Sequence, residues 1–440
     1  MITNIEAAQR LDSRGKPTIQ VSLNTDKGIF RALVPSGASK GAYEALELRD
    51  GDKSVYQGNG VLKAVQIVNE ILGPAIISRK FDVGKDLANI DALMRQMDGT
   101  SDKSKLGANA ILGISMACAR AGAAEQDVPL YEFLRQQFGS HKPYIMPVPF
   151  FNVLNGGVHS GNLMAFQEFM IAPVGATSLT HAVQMGSEVY QTLKTVIKTR
   201  FGGTAIGIGD EGGFAPPISK PHEALDLLVT SIDKCGYTGQ VKIGIDPASG
   251  EFFKSDVYNL GFKEEDTTAS ETRLNALELS DLYRDLLERY PIVLLEDPFA
   301  EDDWVAWTAF NKTCQIELVG DDLLATNTER IKIAEERKAC NSLLLKINQI
   351  GTITEAMEAA KLAFSLGWSV FVSHRSGETT DDFIADLTVA LGTGHLKSGS
   401  PCRGERVAKY NRLMDIEAEL EVQNQRYLYA GTDFGQTNAM

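Results

Sequence analysis

The fold is decided by short apolar runs that each end on an ionisable residue: VKIGID (241–246), IVLLE (292–296), IELVGD (316–321), LLLK (343–346) and SVFVSH (369–374). The step from Glu296 to Asp321 is 25 residues, as is the step from Asp321 to Lys346, and 28 residues then lead to His374. A period of about 25 to 30 residues is that of one strand and one helix, and this alternation indicates parallel strands. The number of units favours a closed (β/α) barrel over an open sheet.

Three acidic residues, Asp246, Glu296 and Asp321, stand at the ends of these runs. Because the carboxyl ends of barrel strands meet at one face, we expect the three side chains to converge there. Converged carboxylates repel one another unless a cation neutralises them, and oxygen ligands suit Mg²⁺ better than Zn²⁺. Any one of the three taken alone has the alternative of capping a helix or pairing with a surface lysine. Together they predict a magnesium site.

Lys346 directly follows the apolar run and is predicted to lie half-buried beside the cation. Burial and a neighbouring cation both destabilise a charged amine, so we expect a neutral lysine at working pH. A neutral amine is what a general base requires. The alternative is a structural ion pair with Asp321 or Glu296.

Positive groups follow the last of the runs. His374, Arg375 and Ser376 supply an imidazole, a planar guanidinium and a hydroxyl, which suit a bound phosphate or carboxylate. Lys397 lies 23 residues after His374 and is expected at the same face. A lysine taken alone is more often a solvated surface residue.

The segment GIGDEG (207–212) matches the glycine pattern of dinucleotide-binding turns. A helix must open directly after such a turn, yet two prolines follow almost at once, and Asp210 and Glu211 would repel a pyrophosphate. We therefore reject a nucleotide site and expect Glu211 at the barrel mouth, paired with Glu168. Two neighbouring carboxyls can share one proton, which keeps one of them protonated for acid catalysis.

Two glycine-rich segments, NGGVHSGN (155–162) and SGASKG (36–41), are predicted to be mobile loops. The first carries His159, and the second belongs to the N-terminal part of the chain. Glycine freedom would let such loops close over the barrel and exclude water. Ordinary surface turns are the alternative.

Residues 1–140 are predicted to form an α+β domain that precedes a barrel of residues 141–440. The proline-containing segment HKPYIMPVP (141–149) marks the boundary. Apolar patterning predicts two strands and three helices within the first domain: 19–23, 28–33, 61–72, 89–97 and 107–126.

Composition restricts the partners of this 440-residue chain. Its net charge of −14 argues against nucleic acid and anionic membrane, which need clustered Lys and Arg. No apolar run is long enough to span a bilayer, and the first fifteen residues lack the pattern of a signal peptide. Five cysteines without a CxxC pair favour reduced thiols over disulfides or a zinc site. We expect a cytoplasmic protein.

The chain resembles enolase from near its first residue to about residue 420. The motifs that carry the resemblance occur in order: DSRGKPT (12–18), VPSGASKGAYEALELRD (34–50), NVLNGGVHSG (152–161), QEFM (167–170), GDEGGFAP (209–216), LLEDPFAEDDW (294–304), DDLLATN (321–327), LLLKINQIG (343–351), SHRSGETTDDFIADL (373–387) and KSGSPCRGER (397–406). The resemblance implies an N-terminal α+β capping domain on a C-terminal (β/α)8-type barrel of the enolase variety. It also implies the Mg²⁺-dependent, reversible dehydration of 2-phospho-D-glycerate to phosphoenolpyruvate in glycolysis and gluconeogenesis.

Metal ligands are implied by the same motif positions. Asp246, Glu296 and Asp321 resemble the ligands of the first of two Mg²⁺ ions, and Ser39 resembles the lid residue that reaches the second. The two ions and Lys397 would supply the positive charge that a dianionic intermediate needs. A lysine base combined with Mg²⁺ is already known for this superfamily.

Catalytic roles follow in the same way. Lys346 resembles the base that takes the C2 proton, and Glu211, assisted by Glu168, resembles the acid that protonates the departing C3 hydroxyl. Six residues are similar to those that contact the substrate: His159, Gln167, His374, Arg375, Ser376 and Lys397, the last of which holds the substrate carboxylate.

The sequence departs from the family pattern at a few positions. Lys40 stands beside the lid serine, where relatives often have a small polar residue. Gln20 and Asp415 replace a carboxylate and an arginine that are paired across the dimer interface in many relatives. That pair cannot form here, but a homodimer or higher homo-oligomer is still expected. The segment IDPASG (245–250) also differs locally while it keeps Asp246.

The sequence leaves two other functions to consider. A dipeptide epimerase or a cycloisomerase-like enzyme would share the metal triad and the lysine base but would lack residues that bind a phosphate. The segment HRSGE (374–378), Lys397 and the SGAS lid argue against such an enzyme. A non-catalytic binding role is the second reading. Some enolases bind host plasminogen through a C-terminal lysine, whereas this chain ends TNAM.

Overall fold

The computed structural model describes residues 1–37, 41–264 and 272–437. Ser39, the expected ligand of a second ion, lies outside the described residues, as do Lys40 and residues 438–440 of the TNAM end. The expectations that rest on them stay predictions.

The N-terminal domain is a three-stranded antiparallel sheet with helices packed against it. The predicted hairpin is confirmed, with Pro17–Thr25 paired to Gly28–Leu33, and a further strand, Asn4–Leu11, pairs with the other edge of Pro17–Thr25. All three predicted helices are present. The helices of this domain are Leu62–Gln66, Ile67–Leu72 (π-helical), Gly73–Arg79, Leu87–Asp98, Ala108–Glu125 and Leu130–Phe138.

The helix Ala108–Glu125 forms the centre of this domain because its small residues allow close packing. A Cβ atom at Gly113 would lie 2.6 Å from Cγ2 of Val21 in the sheet, a distance that real Cβ atoms do not reach. The alanine-rich sequence therefore lets the whole helix become buried against the strands.

The rest of the chain forms a closed eight-stranded barrel surrounded by helices. Barrel strands one to eight are Val148–Asn155, Glu168–Ala172, Lys242–Asp246, Ile292–Glu296, Glu317–Gly320, Ser342–Leu345, Ser369–Ser373 and His395–Lys397. The helices are Leu179–Phe201, Pro221–Lys234, Ala276–Arg289, Trp304–Asn311, Thr328–Arg337, Ile347–Ile350, Ile353–Ser365, Phe383–Leu391 and Gly404–Val422. The boundary near residue 140 falls between the helix Leu130–Phe138 and the first barrel strand, and it stays a prediction.

Capping side chains fix where several barrel helices begin. Asn275 accepts hydrogen bonds from the backbone N–H groups of Leu277 and Glu278 at 2.9 and 3.1 Å. The hydroxyl of Thr352 accepts from the N–H of Glu355 at 3.1 Å. Such caps satisfy the free N–H groups of a first helical turn, so the sequence sets the end of each connecting loop.

The second barrel strand runs antiparallel to both of its neighbours, unlike the five strands that the sequence rhythm identified. Glu168, its first residue, pairs with Asn155 at the end of the first strand and with Asp246 at the end of the third. Because this strand runs the opposite way, its start lies at the rim where the other strands end. Glu168 therefore joins the barrel mouth from the first residue of a strand.

The opposite rim of the barrel is joined by a buried polar cluster. Strands five to eight begin with Glu317, Ser342, Ser369 and His395. The hydroxyls of Ser342 and Ser369 donate to Oε1 of Glu317 at 2.5 and 2.6 Å, and Nε2 of His395 lies 2.8 Å from the same oxygen. The His395 ring stacks on Phe371 with ring centres 4.4 Å apart. One carboxylate thus ties four neighbouring strands together.

Two small sheets lie outside the barrel. One comprises Phe253–Lys254, Val257–Asn259 and Arg273–Leu274, and in the other Tyr144–Met146 pairs with Tyr427–Tyr429. Across the described ranges, every helix is too short or too polar to cross a membrane.

The capping domain contacts the barrel at its mouth. Ser36 and Gly377 exchange two backbone hydrogen bonds of 2.8 Å, which attach the start of the segment 36–41 to the chain after the seventh strand. Arg120 of the helix Ala108–Glu125 forms a two-point ion pair with Asp381, with both distances under 3 Å. The cap is therefore fixed directly beside the strand ends.

Glu317→Gln is expected to lower the free energy of unfolding by about 1–3 kcal/mol at pH 7, because a charged acceptor of three hydrogen bonds becomes neutral. Burial raises the pKa of Glu317, but His395 and the two serine hydroxyls outweigh burial and hold it below its usual value. A carboxylate of this kind stabilises the folded chain above its unfolded pKa of about 4.3, and this stabilisation is lost as the pH falls through the folded pKa. The difference between wild type and variant should therefore shrink below about pH 4.

Chemical denaturation across this pH range measures the difference. Glu358→Gln, at an exposed helix position, is the matched control and should behave as wild type. Equal unfolding free energies for Glu317→Gln and wild type at pH 7 would show that the cluster does not stabilise the barrel.

Candidate active site

A small cavity opens at the mouth of the barrel, beneath the capping domain. Eleven residues predicted from the sequence line it or reach into it: Lys346, Glu211, Glu168, His159, Gln167, His374, Arg375, Ser376, Lys397, Asp246 and Asp321. Glu296 is completely buried just below, in contact with Lys397. The structure therefore brings together every predicted site residue that it describes.

Lys397 lies at the centre of three buried carboxylates. Its Nζ atom is 3.0 Å from Glu168, 2.8 Å from Glu296 and 3.4 Å from Asp246. Burial lowers the pKa of Lys397, but the three carboxylates outweigh burial and hold it well above its usual value. Lys397 is thus a permanent cation at the bottom of the cavity, and the reading of it as a solvated surface residue is wrong.

Lys346 forms an ion pair with Asp321, with 2.5 Å between Nζ and Oδ2. Burial lowers the pKa of Lys346, yet the contact with Asp321 outweighs burial and raises it. The neutral amine expected from the sequence is therefore not the form that this arrangement favours, because the alternative ion pair with Asp321 is present. Gln349 donates to the other oxygen of Asp321 at 2.8 Å and holds the carboxylate in place.

Carboxyl groups outnumber cationic side chains around the cavity. Eight of its lining residues are aspartate or glutamate, whereas three are lysine or arginine. Burial and the charge of Asp321 raise the pKa of Asp322 to about 8, and the same two causes raise the pKa of Asp297. Hard oxygen donors in such excess fit a divalent cation such as Mg²⁺.

Acidic side chains of the site form two close groups of possible ligand atoms. The described groups whose ligand atoms all lie within 4.8 Å of one another are His159–Glu168–Glu211 and Asp297–Asp321–Asp322. The predicted triad of Asp246, Glu296 and Asp321 is not one of them, since Asp246 and Glu296 face Lys397 while Asp321 faces Lys346. The predicted ligand set stays a prediction.

Glu168 and Glu211 form the predicted carboxyl pair. Burial and the charge of Glu211 raise the pKa of Glu168 well above its usual value. Burial also acts on Glu211, but His374 and His159 outweigh it and hold the pKa of Glu211 well below its usual value. A proton taken up by this pair would therefore go to Glu168 in this arrangement.

Glu211 is held by polar neighbours from three segments of the chain. Asn152 donates to its Oε2 at 2.8 Å, Nε2 of His374 lies 3.4 Å from the same oxygen, and Nδ1 of His159 lies 3.5 Å from Oε1. Within the segment 207–212 no helix begins, so the glycine pattern there does not open a nucleotide site.

The loop that carries His159 is packed down onto the site. Lys263 donates to the carbonyls of Gly157 and Ser160 at 2.6 and 3.0 Å. A Cβ atom at Gly156 would lie 2.2 Å from the carbonyl oxygen of Phe166, so only glycine fits there. Movement of this loop stays a prediction.

Arg375 reaches the capping domain. Its guanidinium binds the carboxylate of Glu44 at two points, at 3.0 and 3.1 Å, and also donates to Asn348 at 2.9 Å. Burial lowers the pKa of Arg375, but Glu44 outweighs burial and raises it. A planar guanidinium in this position is a ready partner for an anion.

Several site residues have no assigned role in the sequence analysis: Glu44, Asn152, Glu251, Asp297, Asp322, Gln349 and Arg406. Asp297 and Asp322 directly follow the predicted ligands Glu296 and Asp321. These pairs of consecutive acidic residues are the feature of the sequence that could have indicated a role for Asp297 and Asp322. The carboxylate of Asp297 accepts hydrogen bonds from the backbone N–H groups of Asp321 and Asp322 at 2.8 and 2.7 Å. These bonds orient the chain at the end of the fifth barrel strand. Glu44 gave no signal, because its partner is 331 residues away.

The fold and the site together define an enzyme built on a barrel with an N-terminal capping domain. Its cavity is lined by lysines, an arginine and paired carboxyl groups. Residues 2–134 match the family model described as the N-terminal domain of enolase, and residues 143–438 match that of the enolase C-terminal TIM barrel domain. The chain belongs to the enolase family.

Lys397→Gln is expected to lower the free energy of unfolding of the metal-free protein by about 3–5 kcal/mol, because three buried carboxylates lose their shared cation. Added Mg²⁺ should restore more stability to this variant than to wild type, since a bound cation would compensate the same charges. Thermal unfolding with and without Mg²⁺ measures both effects. Lys312→Gln, at an exposed position, serves as control. An unfolding temperature for Lys397→Gln equal to that of wild type without metal would contradict the role given to Lys397.

Proposed function

We propose that this protein catalyses the reversible, Mg²⁺-dependent dehydration of 2-phospho-D-glycerate to phosphoenolpyruvate in glycolysis and gluconeogenesis. Lys346 takes the proton from C2, and Glu211, with Glu168, delivers a proton to the hydroxyl that leaves C3 as water. The electrons of the broken C2–H bond form the double bond of the product, so the overall change is loss of one water molecule.

The observation that supports this proposal best is the position of base and acid in the barrel. Lys346 follows the sixth strand and Glu168 begins the second, and these two strands lie opposite each other in the eight-membered ring. Both side chains line the same cavity. A substrate held between them would offer one face of C2 to the amine and the leaving group at C3 to the carboxyls. Separate groups on opposite sides suit a stepwise elimination.

The charge of the site supports a role for Mg²⁺. Asp246, Glu296 and Asp321 would hold the first ion, and Ser39, outside the described residues, would contribute to the second. When bound, the two ions would supply positive charge to the substrate carboxylate, which makes the neighbouring C2 proton more acidic. A cation that separates Asp321 from Lys346 would also favour the neutral amine that a base needs.

Arg375 and Lys397 support recognition of a substrate with a phosphate and a carboxylate. Arg375 is engaged by the carboxylate of Glu44, a group with the charge and planar shape of an anionic ligand, and a phosphate would take the place of Glu44. Lys397 would hold the substrate carboxylate. His159, Gln167, His374 and Ser376 line the same cavity and would complete the contacts.

The shared proton of Glu168 and Glu211 supports acid catalysis at C3. In the arrangement described, Glu168 is the carboxyl that favours a proton, so Glu211 would act as the acid by receiving a proton from Glu168. Coupled carboxyls titrate as a unit, and the proton needs to move by only a small distance between them.

The wider setting is part of the same proposal. We propose that residues 1–140 act as the capping domain of a cytoplasmic homodimer or higher homo-oligomer. The protein would bind 2-phosphoglycerate and phosphoenolpyruvate. It would neither bind nucleic acid nor span a membrane.

Turnover of 2-phosphoglycerate tests the proposal directly. With Mg²⁺ present, ultraviolet absorbance of the enol product should rise, and EDTA should abolish the rise because the cations that neutralise the site are removed. Restored turnover on added excess Mg²⁺ is the control for damage by EDTA. Folded, Mg²⁺-bound protein that forms no product from 2-phosphoglycerate would rule the proposed reaction out and direct attention to unphosphorylated carboxylates.

A further inference from the structure

Arg406 is a completely buried arginine in the first turn of the helix Gly404–Val422. Its guanidinium donates to three backbone carbonyl oxygens: those of Arg375 and Ser376, both at 2.7 Å, and that of Asp210 at 3.0 Å. These carbonyls belong to two separate segments, one after the seventh barrel strand and one that carries Glu211. Arg406 therefore joins the two segments from below the cavity, and it does not itself line the cavity.

The same guanidinium contacts Nδ1 of His374 through Nη1. A guanidinium offers donors and no acceptor, and it keeps its proton in proteins, so Nδ1 must be the accepting nitrogen. Burial, together with the charge of Arg406, lowers the pKa of His374 to about 4, although Glu211 opposes this shift. Such a pKa favours a neutral ring at pH 7, and an accepting Nδ1 then places the one ring proton on Nε2.

The Nε2–H group of His374 points at Glu211, with 3.4 Å between Nε2 and Oε2. Asn152 donates to the same oxygen at 2.8 Å. His374 and Asn152 therefore both face Oε2 of Glu211, whereas Oε1 faces Nδ1 of His159 at 3.5 Å. Had His374 been the other tautomer, an Nε2 lone pair would face the carboxylate and repel it.

We propose that Arg406 is a positioning residue: it fixes His374 as the Nε2–H tautomer and thereby holds Glu211 in place for proton transfer to the leaving hydroxyl. This inference rests on the function proposed above. Arg406 acts through His374 and the backbone of the segment around Asp210, and it does not touch the substrate.

The tautomer of His374 tests this inference without any turnover. In protein labelled with ¹⁵N-histidine, two-dimensional spectra that correlate ring protons with ring nitrogens at pH 7 distinguish the two neutral tautomers and the imidazolium. The chain has six histidines, and the signal of His374 is assigned by its loss in His374→Asn. Wild type should show His374 with Nε2 protonated and Nδ1 bare.

Arg406→Lys keeps the positive charge but cannot hold all three carbonyls and Nδ1 at once. The variant should show a mixture of His374 tautomers, and kcat for 2-phosphoglycerate should fall about tenfold or more while KM changes by less than about threefold. Arg412→Lys is the matched control: it lies in the same helix and forms a two-point pair with Asp386. It should keep the wild-type His374 signal and kcat.

Two results would overturn the inference: a wild-type His374 that is protonated on Nδ1 at pH 7, or an Arg406→Lys variant with an unchanged tautomer and unchanged kcat. If Arg406→Lys fails to fold, the wild-type spectrum alone decides the matter. Wild-type protein that does not turn over 2-phosphoglycerate would remove the proposed function, yet the His374 spectrum would still report whether Arg406 sets the tautomer. The two failures are therefore distinguishable.

Discussion

Lys397 holds three buried carboxylates together at the mouth of the barrel, and the rest of the site depends on this balance of charge. Glu168, Asp246 and Glu296 come from the second, third and fourth strands, and each would be costly to bury without a cation. One ammonium group does not neutralise three carboxylates. Burial and the neighbouring carboxylates hold the pKa values of Glu168 and Glu296 well above their usual values. The site therefore needs either protons or a bound cation to balance its charge, which is the physical reason that a cation-dependent reaction fits it.

The antiparallel second strand places Glu168 at the barrel mouth, on the side opposite Lys346. In a barrel with only parallel strands, Glu168 would lie at the opposite rim, next to the cluster around Glu317. Reversal brings it to the mouth, where it faces Glu211 and contacts Lys397. The capping domain completes the same rim, because Glu44 reaches Arg375 from above. Strand direction and cap together place opposite charges around one small volume.

Much of this arrangement could be predicted from the sequence, because short runs of neighbouring residues determine where each strand ends. The short apolar runs that end on Asp246, Glu296, Asp321 and Lys346 alternate with helical segments, which indicates parallel strands. Parallel strands of a barrel end at one rim, so the four side chains are expected there. The strand beginning at Glu168 was not part of that rhythm, because an antiparallel strand needs no helix before it. Its direction follows from pairing with distant segments.

Pairings between distant residues were the part that sequence reasoning could not supply. Glu44 and Arg375 belong to different domains, and nothing near either residue indicates the other. The sequence offers the ion pair between Lys346 and Asp321 only as an alternative, since spacing places both residues at the rim without fixing the distance between them. Arg406 lies in a quoted motif, but its role depends on which carbonyls surround it.

Exchange of the C2 proton of 2-phosphoglycerate in D₂O with Mg²⁺ tests most directly the claim that base and acid act from opposite sides of the barrel mouth. The Glu211→Gln variant should replace the C2 proton by deuterium while forming little phosphoenolpyruvate, because Lys346 is intact and only loss of the hydroxyl is blocked. The Lys346→Ala variant should neither exchange the proton nor form product. Exchange by folded Lys346→Ala at the wild-type rate would contradict the division of roles between the two sides of the barrel.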